Sequence, residues 1–129
     1  MTPIALAQKT VSFPTDDGGV IFPDLYGSGE RAVVLAHGGR FNKERWAPQA
    51  RALVAAGFEV LAIDFREYGT SHGPGDKDPL TLDVLAAVRY RHENGAKIVS
   101  IVGGSMGGGA AGDACIAAQP GEIDRLVML

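Results

Sequence analysis

A chain of 129 residues has room for a single domain with a real hydrophobic core and little more. Its net charge of −3, without basic clusters, argues against nucleic acid or an anionic membrane as a partner, and its single cysteine, Cys115, excludes an internal disulfide framework. No stretch approaches the roughly 18 apolar residues of a membrane span. Ala5-Leu6-Ala7 has the small-residue spacing of a signal-peptidase site, but it lacks a charged region and a long apolar region before it. A soluble, cytoplasmic protein is expected.

Taken in chain order, Thr10-Val11-Ser12-Phe13 and Val20-Ile21-Phe22 flank the turn-rich Asp16-Asp17-Gly18-Gly19 and predict an opening antiparallel hairpin. Four apolar runs follow, at Ala32–Ala36, Val60–Ile63, Ile98–Val102 and Leu126–Leu129. None alternates polar with apolar residues, the pattern of parallel strands covered on both faces. Asn42 is placed to cap a helix whose Trp46, Ala50, Leu53 and Val54 share one face, with Gly57 ending it. Asp78-Pro79 predicts an N-cap and first-turn proline for a helix from Leu80 to Glu93, stopped at Asn94-Gly95. Met106 to Ala118 is small and apolar on nearly every side, which predicts a buried helix. Its glycines cost about 1 kcal/mol each against alanine, so packing and not propensity must make it. Strand–helix alternation with short links gives an α/β fold, a mostly parallel sheet with helices on both faces and residues 1–129 forming one domain.

The chemistry gathers at the carboxyl ends of the strands, in the loops His37–Asn42, Asp64–Asp78 and Gly103–Met106. Gly103-Gly104-Ser105-Met106-Gly107 follows the run Ile98-Val99-Ser100-Ile101-Val102 and opens the next helix, the setting of a G-x-S-x-G nucleophile elbow. Ser105 is expected at the apex in strained backbone, with Gly103 and Gly107 leaving room for the turn. Acyl transfer by a serine needs a base and preorganised donors for the tetrahedral oxyanion. The N–H of Met106, first in the helix, is one candidate donor. The Gly39 N–H, in the loop after Val33-Val34-Leu35-Ala36, is the second, with Arg40 as the other choice; Arg40 also supplies a positive charge near the rim. Other motifs weigh less. Gly107 to Gly112 matches G-x-G-x-x-G only inside a helix, whereas a dinucleotide fingerprint must form the strand-to-helix turn. Cys115 reads as a small buried hydrophobe, Trp46 and Leu53 as core, and Asp64 as a brace between loops. Neither a cofactor nor a metal is expected.

His37-Gly38-Gly39, the elbow at Ser105 and the stretch Asp64-Phe65-Arg66-Glu67-Tyr68-Gly69-Thr70-Ser71-His72-Gly73 together resemble the α/β-hydrolase superfamily, with its small esterases and dienelactone-hydrolase-like members. The last stretch is similar to the superfamily's D-x-R-G-x-G-x-S-x-G loop, with Glu67 and Tyr68 at positions usually small. The resemblance covers the first two-thirds of that fold, ending in its sixth strand. It implies a serine hydrolase for small-molecule esters or thioesters, with Ser105 as nucleophile and His37 as a structural residue of the oxyanion loop. The superfamily's acid and histidine follow the serine, and no histidine follows Ser105 here. His92 sits at the far edge and His72 is the only stand-in base on the correct edge. The expectation is therefore that the functional molecule continues past Leu129 by roughly 80–100 residues, two more strand–helix units carrying acid and base. A complementing chain at the sheet edge is the substitute, and this chain alone is expected to be inactive. The competing expectation is a non-catalytic binding or assembly module complete at 129 residues.

Overall fold

The computed structural model describes residues 9–75 and 78–129, so Ala5-Leu6-Ala7 and residues 76–77 of the Asp64–Asp78 loop lie outside it. The four apolar runs are strands: β5 (Arg31–Ala36), β6 (Glu59–Ile63), β7 (Ile98–Gly103) and β8 (Leu126–Met128). They pair in parallel in the order β6-β5-β7-β8. Their continuous hydrophobicity has the expected cause. Val34, Ala36, Leu61, Ile63, Val99 and Ile101 face helices α2 (Pro79–Glu93) and α3 (Met106–Ala117). Val33, Leu35, Val60 and Ala62 face Trp46 and Ala50 on the other side, where α1 (Ala47–Ala55) lies. The alternating side chains of one strand thus serve two cores.

The amino-terminal region differs in detail from its sequence pattern. The predicted hairpin forms between β2 (Phe13–Pro14) and β3 (Val20–Ile21), but Thr10 is not part of it. β1 (Lys9–Thr10) pairs instead with β4 (Asp24–Tyr26), a strand with no distinct signal in the sequence, and β4 in turn runs antiparallel to β6. The chain changes sheets at Val11-Ser12 because Phe13 is drawn over α2, where its ring is buried and stacks on Tyr90 at 5.0 Å between centroids.

Asn42 caps as expected, its side chain accepting from Glu44 N–H, although the first turn is a 3₁₀ segment, Lys43–Trp46. Asp78 does not cap α2. Its backbone is left-handed (φ 48°, ψ 48°), whereas side-chain capping needs an extended residue, and it makes no cap bond. Pro79 still opens that helix. α3 is buried along Gly107, Gly108, Ala110, Ala111 and Ala114, but Gly109, Asp113 and Ile116 are exposed. The expectation of burial on nearly every side is therefore corrected. The sheet and α2 cover one side of the helix, and no described element covers the other. No described helix is long and apolar enough to cross a membrane.

Candidate active site

Two adjacent parallel strands build the site. Ala36, the last residue of β5, is in register with Gly103, the last of β7. The loops that leave them are joined at once, Gly104 N–H donating to Ala36 O at 3.0 Å. Ser105 stands between β7 and α3 with φ 52° and ψ −111°, outside the regions a non-glycine residue occupies without strain. Such backbone costs about 1–3 kcal/mol and persists only where the surroundings impose it. They do so here by proximity. A Cβ on Gly107 would stand 2.2 Å from Ala36 O and 2.7 Å from His37 O, and one on Gly103 would stand 2.6 Å from Gly107 O. Only glycine fits at either position, as the elbow pattern requires.

Ser105 is exposed and lines a mostly apolar cavity of about 340 Å³ with Gly38, Phe41, Arg45, Trp46, Gln49 and Leu129. Among the described residues no imidazole or carboxylate is hydrogen-bonded to its hydroxyl. Met106 is the first residue of α3, and its N–H has no hydrogen-bond acceptor among the described residues. It therefore sits at the positive end of the helix dipole. The Gly39 amide is likewise without an acceptor among the described residues, and Gly39 packs on Met106, a Cβ there falling 3.6 Å from the sulfur. Of this loop His37, Gly38 and Phe41 line the cavity and Gly39 does not; the Gly38 Cβ position is 3.6 Å from Ser105 Cβ.

His37 is buried and fully committed. Phe65 N–H donates to its Nε2 at 3.2 Å, so the ring proton is on Nδ1, which donates to Gly38 O at 2.8 Å. The Gly38 carbonyl also accepts from Phe41 N–H at 3.1 Å. In a trans peptide the N–H points opposite the C=O, so fixing Gly38 O also fixes Gly39 N–H. Asp64 braces the loops as its strand-end position suggests, accepting from Lys43 N–H at 2.7 Å. His72 is placed elsewhere: its backbone bridges Val20, its ring lies against Phe22, and it does not line the cavity. His92 ties the far end of the fold, its two ring nitrogens 3.1 Å from Ala96 O and 2.8 Å from Glu122 O.

The loop from Asp64 onward is held by a charge cluster that sequence reasoning missed. Arg66 is buried and donates to Asp83 Oδ1 from Nε at 2.9 Å and from Nη2 at 2.7 Å, and to Asp17 at 2.8 Å. Hydrogen bonds from Arg66 and Thr15 hold the Asp17 carboxyl well below the usual carboxylate range. The cluster fastens hairpin, loop and α2 together. Its only signal in the sequence was an arginine inside the Asp64–Gly73 stretch. The cavity wall was missed too. Arg45, and not Arg40, brings the positive charge to it, its guanidinium 4.5 Å from the centroid of the Phe41 ring. Trp46 is core as expected, yet it also forms part of the wall. No group of three or more potential metal ligands occurs among the described residues.

An exposed serine on a strained strand-to-helix turn, with the first amide of the helix after it and a glycine loop from the neighbouring strand against it, is the geometry of an α/β hydrolase. Residues 33–129 match the profile of the Alpha/beta hydrolase family. The chain belongs to that family. It is 32% identical over 116 residues to a non-heme haloperoxidase of Rhodococcus erythropolis, covering 88% of this chain and 41% of that protein. It is 37% identical over 84 residues to a bifunctional epoxide hydrolase 2 of Sus scrofa, covering 64% of this chain and 15% of that protein. Among solved structures, an esterase of Pyrococcus furiosus superposes with a TM-score of 0.78 at 27% identity, over 95% of this chain and 51% of the esterase. The chain thus spans less than half the length of these two curated relatives.

Proposed function

We propose that this chain carries the nucleophile and the oxyanion site of a serine hydrolase for carboxylic esters or thioesters. The observation that carries the reading is Ser105 itself, a hydroxyl at φ 52° on the apex between β7 and α3, open to an apolar cavity. Strain of this kind has a purpose in presenting a nucleophile and none in simple packing. In the reaction the Ser105 oxygen attacks the substrate carbonyl carbon, and its proton passes to a base. The carbonyl oxygen gains the charge and is met by the N–H groups of Met106 and Gly39. The leaving alcohol or thiol takes up the proton, and water then cleaves the acyl–serine ester. The base and its acid partner are assigned to a segment outside these 129 residues, since His37 is committed to Gly38 and Phe65.

The relatives include epoxide hydrolases and a haloperoxidase as well as esterases. The nucleophile favours esters. A serine oxygen that opened an epoxide would form an ether, which water does not cleave, and the enzyme would be trapped after one turnover. An acyl–serine is an ester and turns over. The competing reading, a non-catalytic binding or assembly module, draws on the lack of any imidazole at Ser105 among the described residues. A fluorophosphonate probe separates the two. In the native-length protein it should label Ser105, with Ser105→Ala unlabelled; a folded protein that resists the probe at Ser105 refutes the hydrolase reading.

A further inference from the structure

Residues Gly38–Phe41 form a tight turn, closed by Phe41 N–H donating to Gly38 O at 3.1 Å. The outer peptides of such a turn are fixed by that closure, and here Gly38 O is held a second time by His37. The middle peptide, between Gly39 and Arg40, is the unit that differs by about half a rotation between the two common turn types. Inverting it would carry Arg40, at the second central position, from its negative φ to a positive one, which its side chain opposes, whereas Gly39 at the first leaves the peptide room to tilt. The middle peptide is held from outside the turn. The Tyr68 hydroxyl donates to Gly39 O at 2.7 Å, lies 3.8 Å from the Met106 sulfur, and its ring meets His37 edge-on at 4.7 Å. One side chain therefore touches the residues of both proposed oxyanion donors and the histidine that orients one of them.

We infer that Tyr68 is a positioning residue of the oxyanion site, its hydroxyl holding Gly39 O so that, with His37 on Gly38 O, the peptides on both sides of Gly39 are fixed and the direction of the Gly39 N–H with them. The inference rests on acyl transfer at Ser105 with this loop as the anion-binding element. Freed from Tyr68, the middle peptide can tilt and draw the Gly39 N–H out of line with the bound oxygen. The ground state of a neutral ester is little affected by that tilt. The charged tetrahedral state is destabilised, because it depends most on the alignment of its donors.

The test compares Tyr68→Phe with Ser105→Ala in the native-length enzyme, using p-nitrophenyl esters, an alkylboronic acid whose adduct with serine is tetrahedral and anionic, and the carboxylic acid product. Phe keeps the ring on His37 and removes only the latch. Tyr68→Phe should lower kcat about tenfold, less than the about 10²–10³ of losing a donor outright because the peptide still visits its working orientation. KM and the affinity for the product acid should stay within about twofold, boronate affinity should fall in step with kcat, and the melting temperature should not change. Unchanged kcat and boronate affinity, with Ser105→Ala inactive, overturns the role of Tyr68 and leaves the nucleophile in place. A parallel fall in kcat, product affinity and melting temperature marks Tyr68 as merely structural and also overturns it. Full activity in Ser105→Ala removes the nucleophile assignment and this inference with it.

Discussion

Among the described glycines Gly107 leaves the least room for a side chain, and it sets a quantitative test of the elbow. Replacing that glycine with alanine places a Cβ 2.2 Å from Ala36 O, 2.5 Å from Ala36 C and 2.7 Å from His37 O. Ordinary contact begins near 3.4 Å, so β5 and α3 must part by about 1 Å where they are least able to. Ala36 is paired on both sides, to Ile63 and Gly103, and its carbonyl accepts from Gly104 N–H. Losing that hydrogen bond costs about 1 kcal/mol, and overpacking of a rigid core costs about 1–3 kcal/mol more. Gly107→Ala should therefore destabilise by about 2–4 kcal/mol, a large share of the total for a domain of this size, and Gly107→Val by more. Gly109, two residues further along α3, is the control. A Cβ there meets nothing within 4 Å, so Gly109→Ala should stabilise by about 0.5–1 kcal/mol through helix propensity alone. Denaturant unfolding of the two variants measures both. If Gly107→Ala unfolds within about 0.5 kcal/mol of the parent, the close approach of β5 and α3, and the strained apex it enforces, is wrong.

Glu67 occupies left-handed backbone, φ 71°, at a position where the motif has a small residue, and its side chain is exposed. Glu67→Gly should raise stability by about 0.5–1 kcal/mol in thermal unfolding, the relief of left-handed strain less the entropy glycine adds to the unfolded chain; a loss would reveal a contact made by the carboxylate. Asp17 binds its proton less readily folded than unfolded, so the stability it adds is present above the ordinary carboxylate range and is lost as pH falls below about 4. Asp17→Asn should accordingly melt lower at pH 7 and show a shallower decline between about pH 5 and 3; equal slopes would place the acid sensitivity elsewhere. Arg45 stands on the cavity wall in none of the ion pairs among the described residues. Arg45→Ala should reduce kcat/KM for esters with an acidic acyl group relative to neutral ones by about two- to fivefold, the range of a single exposed charge, with Arg40→Ala changing it less. A larger effect from Arg40 would return the rim charge to that residue.

What was legible in the sequence was whatever depends on local pattern. Val33–Ala36, Val60–Ile63 and Ile98–Val102 announce strands covered on both faces because burial forbids polar residues at every position. The elbow announces itself because Gly103 and Gly107 admit nothing else. What was not legible depends on partners distant in sequence. β4 has three residues and no apolar run, and it becomes a strand only because β6 offers an edge. Asp78 carries a good capping side chain in a backbone state that cannot use it. Arg45 and Gln49 look like the solvated face of a helix start, and nothing local says that the cavity beside Ser105 opens onto that face. Tyr68 shows only as an aromatic in a glycine-rich loop, and its value lies 29 residues away, at Gly39.

The way the site is divided between strands and loops has a consequence for its chemistry. The Gly38–Gly39 loop and Ser105, the proposed nucleophile, follow β5 and β7 respectively, whose register, Ala36 to Gly103, is set by six residue pairs. That distance cannot vary without unfolding the sheet. Rigid strands thus fix where Ser105 is, and strain at its backbone fixes how its hydroxyl points. The soft variable is the orientation of two loop peptides built on consecutive glycines, Gly38 and Gly39. One is pinned by His37, whose own tautomer is set by Phe65 N–H, and the other by Tyr68. Both pins depend on the segment after β6: Phe65 orients His37, which itself follows β5, Tyr68 belongs to that segment, and Arg66 locks it to Asp83 and Asp17. The buried charge cluster thereby bears on the proposed oxyanion loop without touching it. Loosening Arg66 should disturb the Gly38–Gly39 loop before it disturbs Ser105, because both side-chain pins on that loop depend on the Arg66 segment, whereas β7 carries Ser105 directly.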